Sequence, residues 1–262
     1  MTLTVDVLAA WVFTANLMFV LWLVAPLRGN AGVVDVAWSI ATGLVGLGFA
    51  AISDGNVTRR AIVGTLATAW SVRLAAHLFD RIRREAEDGR YRELRARWGL
   101  QARRKLFWFY QAQGFWAVMF AMPMLAASRN AEPIGALDSI AVGIWIVSIA
   151  GEGVADAQLA RFKANAFNRG RVCRVGLWRY SRHPNYFFEW LHWWAYAALA
   201  AGGPFWWVAV GGMLVMLWFL TRVTGIPPTE AHALLSRGDA YRDYQRTTSA
   251  FFPWPPMQET NR

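Results

Sequence analysis

Cysteine is almost absent from this 262-residue chain, which contains only Cys173. One cysteine can neither form an internal disulfide nor supply a cysteine-cluster metal site. The four histidines never occur in the paired spacings, such as HExxH, that place two ligands on one metal ion. No internal repeat and no low-complexity segment is apparent. We therefore expect neither a disulfide-stabilised fold nor a metal site.

Acidic residues are also scarce, with 17 Asp and Glu against 27 Lys and Arg, a net charge of +10. Hydrophobic residues make up 56% of the chain, in several apolar runs of membrane-spanning length that a soluble domain would not normally carry. The net charge could suggest nucleic-acid binding, but the basic loops would lie against anionic lipid, which competes for them. The composition therefore predicts an all-α polytopic membrane protein that contacts lipid and binds no nucleic acid.

Seven transmembrane helices are predicted, at about 3–25, 33–52, 61–79, 106–127, 137–158, 184–201 and 203–221. Arg28, the loops 81–105 and 159–183, and the tail from residue 222 together hold 23 of the 27 Lys and Arg. By the positive-inside rule that side is cytoplasmic, so the N-terminus is outside and the C-terminus is cytoplasmic. The first apolar run has no basic region before it, so we expect a retained span and not a signal peptide.

The stretch from Gly170 to Tyr196 is basic in its first half and aromatic in its second. Pro184 lies at the junction, and proline suits the first turn of a helix because its missing N–H would be unpaired there. The N-terminus of a helix carries free N–H groups and partial positive charge, which favour an anion such as phosphate. Four arginines precede it: Arg171, Arg174, Arg179 and Arg182.

Polar residues form one stripe on the helix that follows: Asn185, Glu189, His192 and Tyr196. A carboxylate inside a membrane helix usually faces a cavity or a partner. The simpler interpretation is a positive flank with interfacial Trp and Tyr anchors, and it explains the arginines and the tryptophans. It does not explain Asn185 together with Glu189, which favour a ligand site.

The fifth span carries a second stripe, formed by Glu152, Asp156, Leu159 and Lys163. Two carboxylates one turn apart in an apolar helix require partners. The neighbouring loop offers arginines, and the carboxylates could equally accept hydrogen bonds from ribose hydroxyls or an adenine amine. The two stripes therefore predict a nucleotide pocket at the cytoplasmic face.

Two features of the N-terminal half also bear on function. Asp35 lies near the cytoplasmic end of the second span, where an acidic residue is either a functional group or a solvated residue at the interface. Gly43, Gly46 and Gly48 loosely resemble a dinucleotide-binding fingerprint, but no strand precedes them, so close helix packing is the better account. Mixed charges between residues 81 and 105 indicate a surface helix, and its Tyr91 suits the membrane interface.

At GLWRYSRHPNYFFEW the chain resembles the steroid 5α-reductase family, in particular its bacterial relatives long described only by a domain of unknown function. The resemblance runs from Asp35 to Pro253 and is also strong in DAQLARFK and YRDYQRTTSAFFP. It implies a seven-span enzyme that binds NADPH and reduces the carbon–carbon double bond of a lipophilic α,β-unsaturated ketone. Spans within 1–127 would then serve the substrate, and 128–262 the cofactor.

The resemblance also implies roles for single residues. Asp156 would contact the adenosine part, Lys163 and Arg171 the phosphates, and Asn185 and Glu189 the nicotinamide end. The other residues assigned to the cofactor site are Glu152, Arg174, Tyr180, His183, Trp193 and Tyr244.

One departure from the family affects the substrate end of the site. The family's His-Tyr pair in the third span is absent, because Leu78 follows His77. Asp35 and Tyr91 are therefore the candidate catalytic residues that would polarise the ketone.

Two other function classes stay open. A membrane methyltransferase using S-adenosylmethionine shares the RHP-x-Y run at 182–186 and a tail glutamate, here Glu230. Asp156, Lys163 and Glu189 discriminate against it, because a 2′-phosphate needs basic partners that S-adenosylmethionine does not. A small transporter or assembly factor is the third possibility, although the polar residues cluster at one face of the membrane. High Ala and Arg usage suggests a bacterial inner membrane.

Overall fold

The computed structural model describes residues 3–24, 32–84 and 97–257, and all regular structure within them is helical. The helices are α1 (Leu3–Val24), α2 (Val33–Ile52), α3 (Val57–Arg84), α4 (Ala102–Ser128), α5 (Ala136–Ala164), α6 (Pro184–Ala200), α7 (Trp206–Trp218), α8 (Ile226–Arg237) and α9 (Asp239–Thr247). A π-helical turn, Phe219–Val223, follows α7, and short 3₁₀ turns occur at Gly99–Gln101, Ala166–Asn168 and Gly176–Arg179. The all-α prediction is confirmed.

Several helices are long and apolar enough to cross a membrane, as an integral membrane protein requires. Among the described residues five segments qualify: Leu3–Val24, Val33–Ile52, Val57–Arg83, Ala136–Ala164 and Trp206–Arg237. The apolar part of the last segment ends before Arg222, so α8 lies beyond its membrane-spanning part. Helices α4 and α6 occupy the other two predicted spans, but α6 has only 17 residues. The count of seven and the orientation of the termini stay predictions.

The chain divides into two compact units. The first comprises Met1–Gly135 with Leu199–Gly212, and the second comprises Ala136–Ala198 with Met213–Arg262. The predicted division at residue 127 is one of function, between substrate and cofactor, and stays a prediction.

Small residues allow the helices of the first unit to approach closely. A Cβ added to Gly43 would lie 2.2 Å from the Ser71 Cβ of α3, and one added to Gly46 would lie 2.3 Å from the Met124 sulfur of α4. A Cβ added to Gly48 would meet nothing within 4 Å. Close helix packing therefore explains two of these three glycines. The adjoining core is formed by Met18, Val34, Ala41, Tyr110 and Ala117.

Side chains tie together the ends of several helices in the first unit. Arg59 donates hydrogen bonds to the carbonyl oxygens of Asn130 (3.0 Å) and Glu132 (2.8 Å). The Asn130 amide donates to the carbonyl oxygens of Leu199 (2.9 Å) and Ala201 (3.0 Å), at the end of α6. These bonds satisfy backbone acceptors that a helix end and a tight turn would otherwise leave unpaired.

In the second unit, the C-terminal tail lies beside the loop that precedes α6. The Arg182 N–H donates to the Ser249 carbonyl at 2.8 Å, and the Trp254 N–H donates to the Tyr180 carbonyl at 2.9 Å. Ser181 Oγ donates to the Phe251 carbonyl at 2.9 Å. The rings of Phe251 and Phe252 pack against Phe187 and Trp190 of α6.

Candidate ligand site

Helices α5 and α6 bring their polar stripes together in the second unit. The Asn185 side-chain amide donates to the Asp156 carboxylate at 3.3 Å. A Cβ on Gly151 would lie 2.4 Å from the Phe188 ring, so glycine is needed for the helices to pass this closely. Glu152 lies four positions along α5 from Asp156, and Glu189 lies four positions along α6 from Asn185. This antiparallel register places two carboxylates at one level.

Exposure falls steadily along this pair of stripes. The predicted phosphate contacts Lys163, Arg171 and Arg174 are exposed on the loop side. Asp156, Asn185 and Glu189 are partly buried, and Glu152 is only 7% exposed. The deepest polar residues, His192, Trp193 and Tyr196, are fully buried, and a His192 nitrogen lies 4.0 Å from the Glu189 carboxylate. With increasing depth, the side chains thus change from basic residues, through carboxylates and an amide, to an imidazole and aromatic rings.

Glu230 of α8 gathers the polar residues of the RHP run. Arg182 donates to it at 2.6 Å, and His183 lies 3.3 Å away through Nε2. Gln245 donates to its second oxygen at 2.8 Å, and the Tyr241 hydroxyl donates at 3.4 Å. We refer to these five residues as the Glu230 cluster. Arg182 is therefore neutralised within the chain, which removes one of the four arginines from the predicted anion site.

Charges within the Glu230 cluster determine its protonation. Burial by itself would raise the pKa of Glu230, but hydrogen bonds from His183 and Arg182 outweigh burial and lower the pKa to about 2. Burial lowers the pKa of His183 below its ordinary value, against the opposing effect of Glu230. At neutral pH, Glu230 is therefore ionised and His183 is neutral. A neutral imidazole donates to Glu230 when its Nε2 carries the proton.

Tyr244 and Tyr180 occupy different environments, although both were assigned to the cofactor site. The Tyr244 side chain is buried, and its hydroxyl donates to the backbone carbonyls of Trp178 and Ser181. Burial also raises the pKa of Tyr244. Its hydroxyl therefore fixes the loop from within, whereas the Tyr180 ring is 43% exposed and available to a ligand.

A polar cavity of about 430 Å³ lies where the loop meets the tail. It is lined by Arg174, Arg179, Thr247, Thr248, Pro256 and Met257. Two guanidinium groups and two hydroxyls suit a phosphate group. The threonines were missed because TT in a polar tail carries no signal of its own. Only the fold of the tail places them near the arginines.

The roles of the two candidate catalytic residues stay predictions. Tyr91 lies outside the described residues. Asp35 belongs to the first unit, where its carboxylate lies 3.9 Å from Arg81 and is about one-fifth exposed. The first unit also has an apolar groove of about 960 Å³ along α2 and α3, and Asp35 does not line it.

Cys173 is a structural residue by its environment. It is 6% exposed, and burial raises the pKa of its thiol. Reactive thiols need the opposite shift and access to solvent. Cys173 therefore serves as a small apolar residue within the loop.

Together these features describe an all-helical membrane protein with a polar site between two of its helices. The chain belongs to the family described as Protein of unknown function (DUF1295), whose model matches residues 21–248. It is also similar to the Uncharacterized protein C594.04c of Schizosaccharomyces pombe, at 28% identity over 267 residues, covering 89% of this chain and 76% of that protein. No solved structure matches the chain. The membership agrees with the resemblance to proteins described by a domain of unknown function, whereas the steroid 5α-reductase activity stays a prediction.

Proposed function

We propose that this protein is an NADPH-dependent reductase that saturates the carbon–carbon double bond of a lipophilic α,β-unsaturated ketone. The observation that carries the proposal is the contact between Asp156 and Asn185, which joins two polar stripes beside a basic loop. Intramembrane carboxylates on facing helices are costly and mark ligand sites by default. The resemblance to steroid 5α-reductases supplies the reaction class.

The polar residues of the site offer a partner for each part of a dinucleotide. Lys163, Arg171 and Arg174 are exposed cations suited to phosphates. Asp156 accepts hydrogen bonds and suits ribose hydroxyls or an adenine amine. The Asn185 amide lies beside Asp156, and the Glu189 carboxylate lies one turn deeper. Together they suit the carboxamide of a nicotinamide.

When bound, NADPH would supply a hydride from C4 of its nicotinamide ring. Addition of that hydride to the β-carbon moves the double-bond electron pair toward the carbonyl and leaves negative charge on the oxygen. A proton from water then completes the α-carbon, so the enone, NADPH and one proton give the saturated ketone and NADP⁺. The contributions of this chain are orientation, exclusion of water, and hydrogen bonding to the developing charge.

The contacts of the RHP run favour the reductase over the methyltransferase alternative. The residues that this chain shares with such enzymes are Arg182, His183 and Glu230, and they bond to one another. Their mutual contacts explain the RHP run and the tail glutamate structurally. A site facing the cytoplasm of a bacterial inner membrane, with substrate entering from the bilayer, belongs to the same proposal.

The test is a thermal-shift comparison of NADPH, NADH and S-adenosylmethionine on the protein in mild detergent. A ligand at 100 times its Kd stabilises the folded state by about 2.7 kcal/mol. We expect NADPH to stabilise most, and Arg171→Ala and Glu189→Gln to remove the effect. Arg242→Ala is the matched control, because Arg242 is exposed and pairs only locally with Asp239.

Other outcomes lead to other functions. Stabilisation by S-adenosylmethionine alone would replace the reductase with the methyltransferase. A folded protein that responds to none of the three ligands would favour the transporter or assembly factor. Equal effects of Arg171→Ala and Arg242→Ala would place the cofactor phosphates away from Arg171.

A further inference from the structure

Tyr196 is a buried donor without an acceptor in the described part of the chain. Its side chain is fully buried, and its hydroxyl has no hydrogen-bond partner among the described residues. The ring lies 5.3 Å from that of His192 and nearly perpendicular to it, and the hydroxyl interacts electrostatically with Glu189. Leaving a hydroxyl buried and unpaired costs about 1–3 kcal/mol, so native proteins rarely do so without a functional reason.

A second unpaired donor lies on the facing helix. The Trp145 indole N–H of α5 is also buried without a partner among the described residues. Trp145 lies eleven positions from Asp156, and Tyr196 lies eleven positions from Asn185, in opposite chain directions. The register set by the Asp156–Asn185 contact therefore places both donors at the same level. Trp145 also shares the buried face of α5 that carries Ser148 and Glu152.

The chemistry of these donors restricts the missing partner. An indole N–H can only donate, so the partner of Trp145 must be an acceptor. Eleven residues of helix correspond to about 16 Å, so this level is three turns deeper than the Asp156–Asn185 contact. A charged ligand group is expensive at such depth. A neutral carbonyl oxygen meets both conditions, whereas a phosphate or a carboxylate does not.

We propose that Tyr196 donates a hydrogen bond to the carbonyl oxygen of a lipophilic ligand, with Trp145 as a second donor at the same level. The catalytic part of this inference rests on the proposed function, in which the ligand is an enone. As hydride adds to the β-carbon, negative charge develops on the carbonyl oxygen, and the bond from Tyr196 strengthens. Tyr196 keeps its proton, and the α-carbon receives its proton from water. Tyr196 thus supplies the phenol that the third span lacks.

The test separates ligand binding from protein stability. Cholest-4-en-3-one carries a ketone, and cholest-4-ene has the same skeleton without it. We expect the ketone to raise the melting temperature of the wild type more than the hydrocarbon does. Tyr196→Phe should abolish that difference and leave the melting temperature without ligand unchanged or higher. Tyr186→Phe, on the same helix, is the matched control, because the Tyr186 hydroxyl bonds to Thr229.

Turnover gives the second measurement. With NADPH and cholest-4-en-3-one, Tyr196→Phe should lower kcat by about 100-fold, as the loss of one oxyanion donor does elsewhere. It should not alter stabilisation by NADPH alone.

The possible failures are distinguishable. A wild type that distinguishes the two sterols but reduces no enone would retain the carbonyl site and overturn the reductase. An active wild type whose Tyr196→Phe variant keeps its rate within twofold would overturn the inference alone. A lower melting temperature of the unliganded Tyr196→Phe protein would show that the hydroxyl is structural, and the inference would fail. A Tyr196→Phe protein that does not fold would have the same meaning. The two sterols on the wild type are an independent test, because equal shifts would contradict a carbonyl site.

Discussion

The Glu230 cluster should be the most sensitive polar position of the second unit. In Glu230→Ala, Arg182 and His183 lose the carboxylate to which both now bond, and their side chains are only 10% and 3% exposed. Breaking a buried ion pair by removing one partner costs about 3–5 kcal/mol, because it leaves an uncompensated buried charge. Glu230→Gln keeps the shape but loses the charge, so we expect about 1–3 kcal/mol.

Thermal unfolding in mild detergent, followed by tryptophan fluorescence, measures these costs. In a chain of about this size, 1 kcal/mol corresponds to roughly 2–4 °C in Tm. Asp243→Asn is the control, because the Arg246–Asp243 pair on α9 is exposed. Exposed pairs contribute about 0–1 kcal/mol. Equal losses of stability in Glu230→Ala and Asp243→Asn would refute the role of Glu230 as the buried carboxylate that holds the Glu230 cluster together.

The pH dependence of stability tests the ionisation of Glu230 independently. The folded pKa of Glu230, about 2, lies below the unfolded value, which is about 4.3. Its stabilisation is therefore complete above about pH 4.5 and is lost as the pH falls from there toward 2. The buried neutral His183 costs stability below about pH 6.5, and it costs more in Glu230→Gln, because the charge of Glu230 opposes the lowering of the His183 pKa. For this reason the difference between wild type and Glu230→Gln should narrow only below about pH 4.5. A difference that is independent of pH would contradict an ionised Glu230.

Three further predictions concern other contacts of the second unit. Gly151→Ala should destabilise the protein by about 1–3 kcal/mol through overlap with the Phe188 ring. Gly153→Ala is the control and should be neutral or stabilising, because a Cβ at Gly153 meets nothing within 4 Å. Equal melting temperatures of the Gly151→Ala and Gly153→Ala proteins would contradict the close approach of α5 and α6. Tyr244→Phe should cost about 1–3 kcal/mol in the same assay because two buried carbonyls lose their donor, whereas Tyr180→Phe should leave Tm unchanged. Cys173 should react with a maleimide only after unfolding, as mass spectrometry would detect, and rapid labelling of the folded protein would show that the thiol is accessible.

The helical architecture could be predicted because long apolar runs favour helices, and a helix is observed within each of the seven predicted runs. The two polar stripes were also visible, since period-3.6 spacing places Asn185 beside Glu189 and Asp156 beside Glu152 whatever the tertiary fold. Their register could not be predicted. It depends on the close approach of Gly151 to Phe188, which involves residues 37 positions apart.

The contacts of the Glu230 cluster could not be predicted from the sequence. Arg182 belongs to a basic run, and nothing local distinguishes it from Arg179, which lines the polar cavity. Only the return of α8 and α9 brings Glu230, Tyr241 and Gln245 to it. Buried donors without partners, such as Tyr196, are likewise recognisable only when every neighbour is known. Charge patterns located the site, whereas long-range contacts decide which charges remain available to a ligand.

The polarity of α6 has a consequence for how the protein is made. Translocon-based scales assign about +2.5–3.5 kcal/mol to a charged residue at the centre of an inserting helix. Helix α6 has only 17 residues and carries Asn185, Glu189 and His192. It is therefore a poor candidate to enter the bilayer alone. Its C-terminal end is bound by Asn130, and the chain turns at Gly202 (φ +81°) into the strongly apolar α7. We expect α6 and α7 to insert as one hairpin, after the helices that precede them are already in the membrane.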